Sequence, residues 1–169
     1  MNPLIQAIEN NNPHQLKLLI ELGHEMNVRN ENSDTLLHIA AACNAVFCAE
    51  ILIEKGMDVN VMNDNGHTPA FTAIQKDSLQ TLELLTLKGF DILNQSESGF
   101  TLLHIAAINN ATNCAWFLIN RGVHVNAKSN CGRTPISMLE NSNWAVMREL
   151  LLLNGAEYDN AYYHNLQSP

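Results

Sequence analysis

The string TLLHIAA occurs twice, from Thr35 to Ala41 and again from Thr101 to Ala107. The copies start 66 residues apart; halfway between them Thr68 opens a looser version, TPAFTAI, and Thr134 opens a fourth, TPISMLE. The step is therefore 33 residues. A fixed period between about 20 and 50 residues marks a stacked-repeat architecture, whose units cannot bury their apolar faces alone. The glycines keep the same beat: all eight fall into two columns, Gly23, Gly56, Gly89, Gly122 and Gly155, and Gly66, Gly99 and Gly132. So do Leu19, Leu52, Leu85, Leu118 and Leu151, and Ala7, Ala40, Ala73 and Ala106. The register runs from Asn2 to Gly155 and counts five repeats.

Each repeat reads as two short helices and a turn-rich connection. Thr35, Thr68, Thr101 and Thr134 offer an N-cap oxygen to the orphan amides of a first helix, and Pro69 and Pro135 follow where a missing N–H costs nothing. Asn2 and Pro3 take these parts in the first repeat. Asn11, Asn44, Asp77, Asn110 and Asn143 then occupy a position suited to a left-handed turn. A second helix such as Val46 to Glu54 carries apolar residues at helical spacing and stops at the first glycine column, which suits a residue with positive φ. Helices shorter than about 12–15 residues are marginal alone in water. Stability must come from stacking, as in a quasi-one-dimensional solenoid.

Composition narrows the class. With 46% hydrophobic and 15% charged residues in 169 positions, the chain reads as ordered and globular. A net charge of −8 weighs against nucleic acid or an anionic membrane as partner and favours a protein with a basic surface patch. No apolar run approaches the roughly 20 residues that span a bilayer. The opening MNPLIQAIENNN lacks the basic and apolar regions of a secretory leader, and no prenylation box ends the chain. Cys43, Cys48, Cys114 and Cys131 form no CxxC pair, so they read as reduced, buried or half-buried thiols of a cytoplasmic protein.

The repeated signature, with GMDVNVMNDNGHT (Gly56 to Thr68) and GVHVNAKSNCGRT (Gly122 to Thr134), resembles the ankyrin repeat over most of the chain. The resemblance implies an all-α ankyrin-repeat solenoid of helix–turn–helix units with β-hairpin-like fingers. One domain is expected over residues 1–156, with repeats at about 1–34, 35–67, 68–100, 101–133 and 134–156 and a capping tail at 157–169. It also implies a non-enzymatic protein-binding module, monomeric and without cofactor, that serves as adaptor, scaffold or inhibitor. A chain of this kind fits a eukaryotic cytosolic adaptor and equally an effector that an intracellular bacterium delivers to the host cytosol.

Departures from the pattern carry expectations of their own. Phe71 stands where His38 and His104 lie, Leu93 replaces the asparagine of Asn27, Asn60 and Asn126, and Ser33 replaces the glycine of Gly66, Gly99 and Gly132. The first finger is therefore expected to be less regular. The fifth repeat loses the small residue at Leu139, and its apolar end, Leu150 to Leu153, needs a cover for which Tyr158, Tyr162 and Tyr163 are candidates. Trp116 falls where the family has a polar, outward residue; packing against a neighbouring repeat is expected, a second contact surface being the alternative. Trp144 reads as structural.

His38 and His104 invite a metal reading, yet two repeats of helices about 8–10 Å apart separate the rings by about 20 Å, whereas zinc holds nitrogens at about 2.0–2.1 Å. The resemblance instead places each in a hydrogen-bond network with the threonine of its own signature. Neither metal nor catalytic residues are expected. A cysteine-dependent enzyme using Cys43 or Cys131 is the alternative from another class, and a structural fragment of a larger assembly is a third. If folding explains every repeating residue, recognition falls to those that do not repeat. In ankyrin arrays these are the finger tips and the exposed ends of the first helices, which line a concave face. Here the finger positions are Glu31, Asn32, Asp34, Asp64, Asn65, His67, Glu97, Ser98, Phe100, Asn130, Cys131 and Arg133. The helix-end positions are Ala42, Cys43, Gln75, Lys76, Ile108, Asn109, Asn141 and Ser142. The first three fingers are acidic and the fourth, with Lys128 and Arg133, is basic; Phe100 and Ile108 are the apolar anchors. Asn27, Asn60 and Asn126, each eight residues after a column leucine, resemble sites that eukaryotic asparaginyl hydroxylases modify.

Overall fold

The computed structural model describes residues 2–139 and 144–158, and the chain divides into two compact units, Met1–Asp91 and Ile92–Pro169. The first unit holds α1 (Pro3–Glu9), α2 (Pro13–Glu21), α3 (Leu36–Ala42), α4 (Val46–Glu54), α5 (Pro69–Gln75) and α6 (Leu79–Leu87). Each consecutive pair forms a helix–turn–helix; α3 packs between α1 and α5, and α4 between α2 and α6. The second unit holds α7 (Leu102–Ile108), α8 (Thr112–Asn120), a 3-10 turn (Pro135–Met138) and α9 (Ala145–Leu153). There α7 packs on the 3-10 turn and α8 on α9. The fold is thus an all-α repeat solenoid, as the periodicity requires. No helix among the described residues is long and apolar enough to cross a membrane.

The columns find their jobs. Ala7, Ala40, Ala73 and Ala106 are wholly buried, as are Leu52, Leu85, Leu118 and Leu151. The short alanine side chain lets neighbouring first helices approach while the leucine fills the space beneath the second. Asn11, Asn44, Asp77 and Asn110 take left-handed φ values of 47° to 54° between paired helices; Asn143 lies outside the described residues. Asn44 also ties two repeats together. Its Oδ1 accepts from Thr81 N at 3.1 Å and Thr81 Oγ1 at 3.2 Å, and its Nδ2 donates to Gln80 Oε1.

Several expectations need correction. The fifth repeat's first helix is only the 3-10 turn. Bulky Leu139 in the alanine column is 7% exposed and cannot be accommodated as the alanines are. Ser33 does not loosen the first finger. It takes φ 63°, close to the 75° to 78° of Gly66, Gly99 and Gly132, and its N–H bonds Asn30 O at 3.0 Å as Gly66 N bonds Asn63 O at 2.9 Å. A side chain in this region costs about 1–2 kcal/mol. Ser33→Gly, which relieves that cost while loosening the unfolded chain, is therefore expected to stabilise the protein by about 0.5–1 kcal/mol. Chemical denaturation reads this directly; a loss of stability would mean that the serine side chain does more than tolerate the turn.

Trp116, expected to be packed, is 55% exposed on α8. Trp144 is half-buried at the start of α9. Leu151 is buried, but Leu152 and Leu153 are 43% and 79% exposed. Of the tyrosines expected to cover them, Tyr158 is half-buried, and Tyr162 and Tyr163 lie outside the described residues.

Candidate functional site

The fingers are built by a polar column that the glycines and the TLLHIAA string overshadow in the sequence. Asn30, Asn63, Ser96 and Ser129 recur at the same step, and each main-chain N–H bonds the carbonyl four residues on, closing the finger at 2.9 to 3.0 Å. Their side chains brace the same turn. Asn63 Oδ1 accepts from Asn65 N and His67 N, both at 3.0 Å, and Ser96 Oγ accepts from Phe100 N at 3.1 Å. Only the intervening residues remain to vary.

In the first unit the fingers and the first-helix ends enclose an open groove of about 430 Å³. Of the predicted residues it gathers Asn32, Asp34, Asn65, His67, Gln75 and Lys76, together with Ala42 and Cys43. Glu31 and Asp64 are exposed but lie outside the lining; Asp64 faces Arg29 at 3.6 Å instead. Such an exposed pair contributes about 0–1 kcal/mol. The sequence reading missed Glu9, Asn30, Ile39, Asn63 and Thr72, which complete the wall. The asparagine–serine column was the signal for two of them.

The groove has firm edges. His67 stacks on Phe71 with ring centroids 3.9 Å apart and planes 17° from parallel. Asn63 Nδ2 donates to Asp34 Oδ1 at 2.7 Å, joining the second finger to the first. Arg29 adds a bond from Nη2 to Met62 O at 3.3 Å.

The second unit holds the remaining predicted positions. Its two fingers are stitched by Asn130, whose backbone N–H bonds Ser98 O at 3.0 Å and whose Nδ2 bonds Glu97 O at 2.8 Å. Glu97, Ser98, Cys131 and Arg133 are exposed there, and Ile108 is 40% exposed. Phe100 is half-buried with its ring edge-on to His104 at 5.2 Å, so part of the proposed anchor already serves internal packing. Asn109 turns its Nδ2 back onto Ile105 O at 2.8 Å. Asn141 and Ser142 lie outside the described residues.

The histidines are scaffold. His38 Nδ1 meets Thr35 Oγ1 at 2.8 Å and Nε2 meets His67 O at 2.8 Å; His104 repeats this with Thr101 at 2.9 Å and Arg133 O at 2.9 Å. Both ring nitrogens of both residues are thereby used. Among the described residues no group of three or more His, Cys, Asp and Glu could hold a metal ion.

The cysteines divide differently from expectation. Cys48 and Cys114 are buried, but Cys43 and Cys131 are exposed. Burial raises the Cys43 thiol above its usual pKa and the Glu9 carboxylate adds to this, the wrong direction for a nucleophile. Burial pushes Cys48 up to about 11. Cys131 is lowered, first by the Ser129 hydroxyl at 3.3 Å and then by the Arg133 amide and charge. His38, five residues before Cys43, is committed to Thr35 and His67 and so is not free to act as its base.

Two profiles of ankyrin repeats match the chain, one of three copies over residues 4–96 and one of many copies over residues 84–139. The chain belongs to the ankyrin-repeat family, whose arrays are protein–protein interaction modules. No curated protein matches it.

Proposed function

We propose that this chain is a monomeric, cytoplasmic protein-binding module without chemistry of its own. It grips a folded partner that presents a basic patch, and so acts as adaptor, scaffold or inhibitor. The observation that carries this reading is the division of labour in the first unit. The column residues Asn30 and Asn63 are spent on bracing their fingers, whereas Asn32, Asp34, Asn65, His67, Gln75 and Lys76, at positions that vary between repeats, supply most of the polar groove lining. Rigid support of a varied surface is what keeps the entropic cost of association low.

Affinity purification from a eukaryotic lysate, followed by titration of the captured partner, tests this. Gln75→Ala with Glu31→Lys in the first unit, and Glu97→Lys in the second, are expected to weaken binding about tenfold or more. Stability should change by no more than about 0.5 kcal/mol, as for other surface positions. Phe100→Ala is less clean, because it also removes the contact with His104. Unchanged affinity in all the charge and amide variants would count against these surfaces.

Of the candidate hydroxylation positions Asn27, Asn60 and Asn126, exposure favours Asn27 and Asn60 over Asn126. Asn60 is exposed, whereas the Asn126 carboxamide is engaged at both ends, donating to Gly155 O at 2.8 Å and accepting from Glu157 N at 2.9 Å. Co-expression with an asparaginyl hydroxylase is expected to add the mass of one oxygen atom to the peptide containing Asn60 before the one containing Asn126. Peptide mass spectrometry showing neither would dismiss the modification.

A further inference from the structure

We infer that the groove of the first unit is a receptor for a guanidinium. It takes an arginine carried on an extended loop or peptide of the partner, and the Asp34 carboxylate is the anion that holds it. This deepens, and rests on, the reading that this face binds protein.

Asp34 is half-buried in the groove wall. Its two oxygens are fixed by carboxamides from successive fingers: Asn30 Nδ2 donates to Oδ2 at 3.3 Å and Asn63 Nδ2 to Oδ1 at 2.7 Å. Those carboxamides are themselves locked, because each Oδ1 accepts two backbone N–H groups of its own finger at 2.9 to 3.0 Å. An ionised carboxylate has about four acceptor sites, so about two remain once the carboxamides are served.

Among the described residues, neither ion pair of the unit involves Asp34. Arg29 spends its guanidinium on Ser33 O at 2.6 Å, Met62 O at 3.3 Å and Asp64 at 3.6 Å, and Lys88 faces Glu50 at 3.7 Å. The result is a rigid, partly desolvated anion with both oxygens held in a fixed plane. That geometry suits the planar fork of arginine better than the point charge of lysine.

The surroundings suit one arginine and the backbone on either side of it. The lining carries Glu9 and Asp34 against Lys76, a formal charge of −2 + 1 = −1 with histidine neutral. The exposed carboxamides of Asn32, Asn65 and Gln75 each offer a donor and an acceptor, which is what the peptide groups of an extended segment need. At about 430 Å³ the groove falls within the range of small-ligand sites, about 300–1,000 Å³.

Selection of displayed random peptides on the full chain tests the inference, with alkylation of Cys43 in the groove wall as the readout of position and Cys131 of the second unit as reference. The enriched peptides are expected to share an arginine and to protect Cys43 from N-ethylmaleimide but not Cys131. They should lose about tenfold or more in affinity when that arginine is replaced by citrulline, its uncharged isostere, and equally with Asp34→Asn. The citrulline arm leaves the protein untouched, so it stands even if Asp34→Asn fails to fold. Peptides that protect Cys43 yet lack arginine, or tolerate citrulline, overturn the guanidinium receptor and leave the groove reading intact. Selection of no peptide that protects Cys43 overturns both.

Discussion

Gly99→Ala is expected to lower the stability of the second unit by about 3–4 kcal/mol, more than alanine at any other glycine of the chain. Gly99 has φ +76°, and a Cβ there would sit 2.6 Å from Asn130 Oδ1, 2.8 Å from Asn130 N and 3.1 Å from Ser129 Cα. A side-chain oxygen can swing aside, but the backbone nitrogen cannot move without breaking its 3.0 Å bond to Ser98 O. The Asn130 Nδ2 bond to Glu97 O at 2.8 Å goes with it. The left-handed backbone contributes about 1–2 kcal/mol and each lost hydrogen bond about 1 kcal/mol. Gly56 is the control. Its φ is +96°, yet nothing lies within 4 Å of its would-be Cβ, so only the backbone cost of about 1–2 kcal/mol applies. Urea unfolding of the two variants separates strain from collision; equal losses would show that Asn130 yields freely.

The contrast between these glycines shows how far the sequence could be read. Both stand in periodic columns, although the sequence suggested positive φ only for the first column, which holds Gly56. What distinguishes them is a neighbour 31 residues further along, and that belongs to stacking rather than to local pattern. The helices, left-handed turns and buried alanines were legible because each follows from residues a few positions apart. The groove was legible only as a set of variable positions. That Asn63 grips Asp34, or that Arg29 withdraws Asp64 from the wall, depends on which side chains meet across successive fingers. Ser33 was misread because a sequence shows that glycine is missing but not that the surrounding turn is strong enough to impose φ 63° on another residue. Trp116 and the exposed cysteines were misread for a related reason. Average burial by residue type says little about a single position on an outer helix face.

His38→Ala and His104→Ala are each expected to cost about 3 kcal/mol, and the native protein is expected to lose stability as pH falls below about 6.5. Both rings are 0% exposed. Removing His104 leaves a cavity and strands three groups: Thr101 N, which donates to Nδ1 at 3.1 Å, Thr101 Oγ1, and Arg133 O. Buried groups left unpaired cost about 1–3 kcal/mol, and the cavity adds to that. The chain shows what relinquishing this histidine entails. In the third repeat, with Phe71, the Thr68 hydroxyl reverts to capping Phe71 N at 3.3 Å. In the fifth, Ser137 bonds only the backbone of Thr134, and buried Thr134 Oγ1 finds no partner among the described residues. The acid dependence follows from the same bonds. Nε2 donates to a carbonyl, so neutral Nδ1 is the acceptor, and a proton there would face the Thr101 N–H. Burial lowers the pKa of both rings, partly offset by the carbonyls of His67 and Arg133 and, at His38, by the Asp34 carboxylate. With the folded pKa below the unfolded value of about 6.5, the unfolded state binds more protons in the window between them. The contribution of each histidine is therefore complete above that value and is lost as pH falls toward the folded pKa, at a slope of at most about 1.4 kcal/mol per pH unit for each ring. Denaturation curves at pH 7.5, 6.5 and 5.5, all at one ionic strength so that screening is constant, measure that slope. In the double variant His38→Gln, His104→Gln it should flatten; an unchanged slope would place the acid sensitivity elsewhere.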